Sequence, residues 1–154
     1  MSNYPSIETL IPHASPMIFI DEAIAIEKES IHCRVTVKET NLFFNQESNA
    51  IPAYVGIEFM AQSISAWSGY HASLKGQASP IGFLLGSRRY HVSVEQFIEG
   101  SVLDIYAHQI MENNGMAVFS GRIEHKGDEI AQCQLNVYVP SKEKLQEMKM
   151  KDRK

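Results

Sequence analysis

Residues 52–73 read PAYVGIEFMAQSISAWSGYHAS, and this stretch decides the fold that the sequence predicts. Pro52 suits the first position of a helix, and Ser48 or Asn49 lies close enough to help cap it. A helix over the whole stretch would be about 33 Å long. Its apolar residues fall on every side and it contains no Lys or Arg. A helix without a polar face is buried on most sides, so we expect other elements to wrap it.

Six further stretches predict the β-strands that would cover this helix. The clearest is 31–38, in which four apolar residues alternate with polar ones, the period of a half-buried antiparallel strand. Short links with glycine-containing turns separate the later strands, which favours antiparallel neighbours. Two strands, one long helix and four strands predict an α+β fold, with a sheet curled around one central helix. The predicted strands are 16–26, 31–38, 81–92, 101–111, 116–124 and 130–139.

Length and charge indicate one domain followed by a charged tail. The 154 residues suffice for a single hydrophobic core. From residue 141 onward six Lys or Arg stand against three Asp or Glu, whereas the rest of the chain holds eight against fifteen. A mildly acidic body argues against a nucleic-acid partner, which needs a clustered basic face. We expect a domain over 1–140 and a solvated, frayed helical tail over 141–154.

The sequence predicts a cytoplasmic protein. No apolar run approaches the roughly 20 residues that span a bilayer, so we expect no membrane span. The N-terminus lacks the basic and apolar regions of a secretion signal. Cys33 and Cys133 have no motif around them, and we expect reduced core thiols rather than a disulfide.

Glu58 is the residue of the predicted helix that is best suited to chemistry. A buried carboxylate without a partner is costly, so its presence indicates either a function or a structural hydrogen bond. It could serve as a general acid or, when ionised, as a base or nucleophile. Gln62 lies one turn later on the same face. Gly56 would allow a thioester carbonyl to approach the N–H groups of the first turns, or would simply permit close packing.

The six histidines do not form a recognisable metal site. No two have the spacing of metal ligands, and two isolated cysteines make no zinc site, so we expect neither a metal nor a cofactor. His13 lies between Pro12 and Pro16 and is the histidine that we expect to be held in place. His32 and His108 fall on polar strand faces and are expected to be solvated. Nucleotide-binding and serine-hydrolase motifs are absent from the sequence.

Three segments, in order, resemble the β-hydroxyacyl-acyl-carrier-protein dehydratases, which have the hot-dog fold. Residues 10–21, LIPHASPMIFID, are similar to the family's N-terminal PHxxP…D stretch. Residues 52–62, PAYVGIEFMAQ, resemble the start of its central helix, with a proline, a catalytic Glu or Asp and an Ala-Gln pair. Residues 81–90, IGFLLGSRRY, resemble its next strand. Trp67 and the Gly-Phe-Leu-Leu-Gly strand narrow the resemblance to the dehydratase-like proteins of aryl polyene biosynthesis.

The resemblance implies a dimer with active sites at its interface, acting on β-hydroxyacyl thioesters of acyl carrier protein. In the family a histidine takes the α-proton, and a helix carboxylate of the other protomer handles the departing hydroxyl. A backbone N–H polarises the thioester. Glu58 matches the carboxylate, and Gly56 and Gln62 are expected to bind substrate. Arg88 and Arg89 would dock the acidic carrier or are ordinary strand-end arginines.

The catalytic histidine of the family has no match in this sequence. The family carries it in a His-Phe-Pro-Gly motif just before the central helix, where residues 45–51 here read NQESNAI. Amide side chains cannot replace a base. His13 could substitute, a related hot-dog subunit could donate the histidine in a hetero-oligomer, or the chemistry could be lost or changed. The sequence thus predicts a dehydratase; the alternatives are a non-catalytic subunit that binds the carrier or a partner, and an acyl thioesterase.

Overall fold

One long helix packed against an antiparallel sheet forms the body of the molecule. The computed structural model describes residues 4–12, 16–77, 83–139, 146–147 and 150. A 3-10 turn over Ala53–Val55 leads directly into the long helix. The elements are α1 (Ile7–Leu10), β1 (Glu22–Ile26), β2 (Ser30–Thr36), β3 (Ala50–Pro52), α2 (Gly56–Leu74), β4 (Phe83–Val92), β5 (Gln96–Ile98), β6 (Val102–Asn113), β7 (Met116–His125) and β8 (Asp128–Tyr138).

The main sheet has six antiparallel strands in the order β1-β2-β6-β7-β8-β4, and β3 and β5 form a separate two-stranded ribbon. Helix α2 contacts every strand of the main sheet. The sheet therefore curls around one central helix, and the predicted α+β hot-dog fold is confirmed. No helix formed by the described residues is long and apolar enough to cross a membrane.

The alternation predicted for residues 31–38 is confirmed by burial. Ile31, Cys33, Val35 and Val37 point into the core, and the residues between them lie on the outer face of the sheet. Both cysteines are free and buried, as predicted. Burial raises the pKa of the Cys33 thiol to about 12, so this thiol stays protonated at neutral pH.

The start of the central helix differs from the prediction. Pro52 ends strand β3 instead of opening the helix, and α2 begins at Gly56. Pro52 has a ψ of 144°, and the N–H of the next residue, Ala53, donates to the carbonyl oxygen of Glu95. Proline's fixed φ suits an extended chain as well as a helix, and the pairing of β3 with β5 decides between them. Asn49 therefore does not cap α2; it adopts a φ of 53° in the turn before β3.

Gly121 allows α2 to approach the sheet closely. It lies in the middle of β7, and a Cβ atom there would collide with the sulfur of Met60 and lie 3.1 Å from Cδ1 of Leu135. Met60 and Leu135 are fully buried, so neither can move away into solvent. The missing side chain thus determines how tightly helix and sheet pack.

Replacement Gly121→Val is expected to lower the free energy of unfolding by about 1–3 kcal/mol, because the new methyl groups overpack a core without free space. Chemical denaturation at 25 °C measures the change. Ser120→Val is the matched control: this exposed neighbour faces the other side of the sheet, and its change should stay within about 0.5 kcal/mol. Equal stability of the two variants would contradict the packing role of Gly121.

Candidate active site

Glu58 and Gln62 form a hydrogen-bonded pair in the first turns of α2. Glu58 is partly exposed, whereas Gln62 is buried with 1% of its surface accessible. The amide nitrogen of Gln62 donates to Oε1 of Glu58 at 3.2 Å. The helix spacing of four residues places the two side chains on one face and permits this contact. A carboxylate oxygen is thereby held in a fixed position at the edge of the core.

Gln62 also fastens the N-terminal segment to the helix. Its Oε1 accepts the backbone N–H of Phe19 at 2.8 Å, and its Nε2 donates to the carbonyl oxygen of Met17 at 2.7 Å. Both hydrogens of the amide group are therefore in use within the protein. Met17 and Phe19 follow the motif that contains His13, and His13 itself lies outside the described residues.

We call Gln62, with its hydrogen bonds to Met17 and Phe19, the clamp. Aromatic contacts attach the loop before the central helix to it. The ring of Phe43 meets that of Phe19 edge-on at 5.6 Å, and Phe19 meets Phe59 of α2 at 6.4 Å. Asn45 uses its side-chain oxygen to accept the N–H groups of Glu47 and Ser48, which closes a local turn. In the region where the related dehydratases carry their histidine, residues 45–51 thus consist of this turn and the start of β3, and their one ionisable side chain, that of Glu47, is exposed.

Gly56 lies beneath the sheet at the first residue of α2. A Cβ atom there would collide with the hydroxyl of Tyr90 and lie 3.0 Å from Cδ1 of Ile123. The N–H of Gly56 donates to the carbonyl oxygen of Ala53, which also accepts the hydroxyl of Tyr90. These contacts fit the close-packing role that the sequence left open. An oxyanion role for the Gly56 N–H would require its bond to Ala53 to be released.

Tyr90 is a residue of this region that no pattern in the sequence singles out. Burial raises the pKa of its phenol to about 12, so it acts as a hydrogen-bond donor at neutral pH. Its hydroxyl ties β4 to the turn that precedes α2. The sequence shows only a tyrosine in a strand, and its acceptor lies 37 residues away along the chain.

The structure separates the two arginines from the residues on the helix. Arg88 is exposed, and in the strand register it lies opposite Gln134, a residue on the outer face of β8. Arg89 adopts a φ of 57° at an irregularity of β4, and it lines an outer depression together with Ser120 and Arg122. Gly56, Glu58 and Gln62 share the first two turns of α2, on the inner face of the sheet. The five predicted site residues that the structure describes therefore do not form one constellation.

The environment of His32 differs from the solvated one that the sequence predicts. It is not a freely solvated side chain: its Nε2 lies 2.7 Å from Oδ1 of Asp104, and its ring stacks on Tyr106 at 4.2 Å. Partial burial acts to raise the pKa of the Asp104 carboxyl group, but hydrogen bonds from His32 and Arg34 outweigh it and lower this pKa. His108 is exposed, as predicted. Within the part of the chain that the structure describes, no three His, Cys, Asp or Glu side chains converge as metal ligands.

Comparison with known proteins identifies a family and a closely similar structure. The model of the ApeP-like family, described as ApeP dehydratase, matches residues 5–149. The dehydratase heterocomplex ApeI:P from Xenorhabdus doucetiae contains a chain that is 33% identical, with a TM-score of 0.88 over 95% of this chain and 98% of that one. A search of curated protein sequences finds no match.

More distant structures share the fold alone. A hypothetical thioesterase from Streptococcus pneumoniae TIGR4, solved with coenzyme A, has a TM-score of 0.59 at 12% identity, over 77% of this chain and 86% of that one. The PaaI protein of E. coli has a TM-score of 0.60 at 8% identity, over 78% and 79% of the two chains. Identities this low carry no statement about activity.

Replacement Gln62→Leu is expected to lower the free energy of unfolding by about 2–4 kcal/mol. A leucine of similar volume leaves the buried N–H of Phe19 without its partner, which is costly, and it also removes the part-buried bond to the carbonyl of Met17. Urea denaturation measures the loss. Gln132→Leu, an exposed change on the outer face, is the matched control and should shift stability by less than about 0.5 kcal/mol. A Gln62→Leu variant as stable as this control would rule out the clamp.

Proposed function

The chain belongs to the ApeP-like dehydratase family, a family of aryl polyene biosynthesis, and we propose that it dehydrates β-hydroxyacyl thioesters held by an acyl carrier protein. The observation that carries the proposal is the position of Glu58. It occupies the first turn of the central helix, where the related dehydratases have their catalytic carboxylate, and Gln62 holds it there. Partial exposure leaves this carboxyl group accessible to a substrate.

In the proposed reaction Glu58 acts on the leaving group. Its carboxyl group donates a proton to the β-hydroxyl, the bond between Cβ and oxygen breaks, and water departs. A base removes the proton from Cα, and the electrons of that C–H bond form the new double bond. Proton transfer from the base back to Glu58 restores the starting state. We assign Gln62 the task of orienting the carboxyl group, because both of its amide hydrogens are bound within the protein.

The start of α2 is also suited to the thioester carbonyl. Backbone N–H groups at a helix N-terminus favour a developing oxyanion. Because the N–H of Gly56 donates to Ala53, we assign Gly56 a role in close packing. We assign polarisation of the thioester carbonyl to the backbone N–H groups of the first turn as a whole.

We propose that the base is a histidine donated by a related hot-dog subunit. The segment before α2, residues 45–51, has no histidine, and its turn is closed by its own hydrogen bonds. The similar structure from Xenorhabdus doucetiae is a dehydratase heterocomplex, which supports a hetero-oligomer here. A homodimer that uses His13 as its base is the competing arrangement. We place the activity in the cytoplasm, in keeping with two free, buried thiols.

Replacement Glu58→Gln is expected to reduce dehydration by about 10²–10⁴-fold while leaving stability unchanged. The substituted amide retains an oxygen that can accept from Gln62, but it cannot donate a proton as an acid. Conversion of a β-hydroxyacyl thioester to the enoyl form, followed by mass spectrometry or ultraviolet absorption, measures the rate. Glu39→Gln, at an exposed loop position, is the control. An active Glu58→Gln variant would remove Glu58 from the mechanism.

The purified chain alone is expected to show little or no dehydration, and a hot-dog partner with the His-Phe-Pro-Gly motif should restore it. In the mixture, Glu58→Gln in this chain and loss of the histidine in the partner should each abolish turnover. Full activity of the isolated chain, together with its loss in His13→Ala, would favour the homodimer. Release of free thiol without enoyl product would instead identify a thioesterase, and carrier binding without either reaction would identify a non-catalytic subunit.

A further inference from the structure

Tyr90 reaches the helix side of the main sheet because β4 contains a bulge. Arg88 lies opposite Gln134 and His91 lies opposite Gln132, and both glutamines belong to the outer face of β8. Between these two pairs β4 has two residues and β8 has one, so the strict alternation of sides is broken. In a regular strand Tyr90 would share the outer face with Arg88, two residues earlier. The bulge therefore turns its side chain toward α2.

This bulge requires an unfavourable backbone conformation. Arg89, its first residue, has a φ of 57°, a value that residues with a side chain rarely adopt and that glycine usually provides in such bulges. Strained backbone persists only where the surrounding structure compensates for it, and it is common at functional sites. The contact that the bulge makes possible is the hydrogen bond from the hydroxyl of Tyr90 to the carbonyl oxygen of Ala53.

The contact of Tyr90 fixes the turn that precedes α2. The carbonyl oxygen of Ala53 accepts both this hydroxyl and the N–H of Gly56, so both of its lone pairs are used. The N–H of Ala53 donates to the carbonyl oxygen of Glu95 at 3.1 Å. The peptide groups on both sides of Ala53 are thus tied to other parts of the chain, and the hydroxyl of Tyr90 lies directly against the first residue of the helix.

The position of Glu58 depends on this turn. Glu58 lies in the first turn of α2, two residues after Gly56. Gln62 holds one of its carboxylate oxygens, as described above. That bond orients the end of the side chain, whereas the turn before the helix determines where its backbone lies. Two residues therefore place the carboxyl group: Gln62 acts on the oxygen, and Tyr90 acts on the backbone from which the side chain extends.

We propose, resting on the function proposed above, that Tyr90 is a positioning residue for Glu58: its hydroxyl fixes the turn before α2 and thereby the distance of the carboxyl group from the substrate. In this role Tyr90 neither touches the substrate nor transfers a proton. A displacement of a reacting group by about 1 Å lowers a rate by about 10²-fold, so a hydroxyl that acts only through the backbone has a measurable effect on catalysis.

Tyr90→Phe removes only this hydroxyl and is expected to lower kcat for dehydration about tenfold or more, with KM within about twofold of the wild type. Both constants are measured on the full-length chain in complex with a hot-dog partner that has the His-Phe-Pro-Gly motif. A β-hydroxyacyl thioester of pantetheine serves as substrate. Tyr106→Phe makes the same chemical change on the outer face of the sheet and should stay within about twofold in both constants. Thermal unfolding checks that both variants are fully folded at the assay temperature.

Amide hydrogen exchange, followed by NMR, tests the same contact without turnover. The N–H groups of Ala53 and Gly56 are hydrogen-bonded and should exchange about tenfold faster or more in Tyr90→Phe, because the turn opens locally. The N–H of Val37, which donates to Ser101 at 2.9 Å, is the reference and should exchange at the wild-type rate.

The outcomes separate the role of Tyr90 from the proposed reaction. Equal exchange of Ala53 and Gly56 in the wild type and in Tyr90→Phe overturns the proposal, even if Glu58→Gln still abolishes dehydration. Faster exchange with an unchanged kcat also contradicts it, because the turn would then open without displacing the carboxyl group. A loss that appears in KM alone would assign Tyr90 to substrate binding instead. If the wild-type complex does not dehydrate its substrate, the proposed function fails, and the exchange of these two amides decides whether Tyr90 fixes the turn.

Discussion

A helix that is apolar around most of its circumference persists in water only when other elements cover it, and here the six-stranded sheet covers α2. Most features of the molecule follow from that burial. The strands must present an apolar inner face, so β2 alternates strictly between buried and partly exposed residues. The sheet must also come close to the helix, and Gly121 provides the space that Met60 needs. Polar groups on the helix must then find partners within the core.

Gln62 finds partners for its polar groups within the core and at the same time forms part of the candidate site. Its amide group satisfies two backbone groups of the N-terminal segment and still reaches Glu58. One buried side chain thus serves both the packing of the fold and the orientation of the carboxyl group.

Sequence patterns were sufficient to predict the central helix and the six main strands, although β1 begins at Glu22, six residues later than predicted. The short links correctly indicated that neighbouring strands are antiparallel. These patterns failed where backbone pairing over long distances decides the conformation. Strands β3 and β5 have three residues each, too short for any period, and their pairing keeps Pro52 extended. Glu58 was selected because it is a carboxylate on a buried helix without Lys or Arg, and the resemblance added its role in dehydration. The acceptor and donor of Gln62 lie more than 40 residues away on the backbone of the N-terminal segment, where side-chain patterns give no signal.

The hydrogen bonds of Gln62 also make the N-terminal segment and the carboxyl group a single cooperative unit. When Met17 and Phe19 detach from α2, the amide loses the partners that fix its rotamer, and Glu58 loses its orientation with it. Local opening of this segment and loss of the orientation of Glu58 are therefore one event, with a single free energy of opening. By thermodynamic reciprocity, a molecule that binds the oriented carboxyl group must also protect the backbone N–H of Phe19 from solvent exchange.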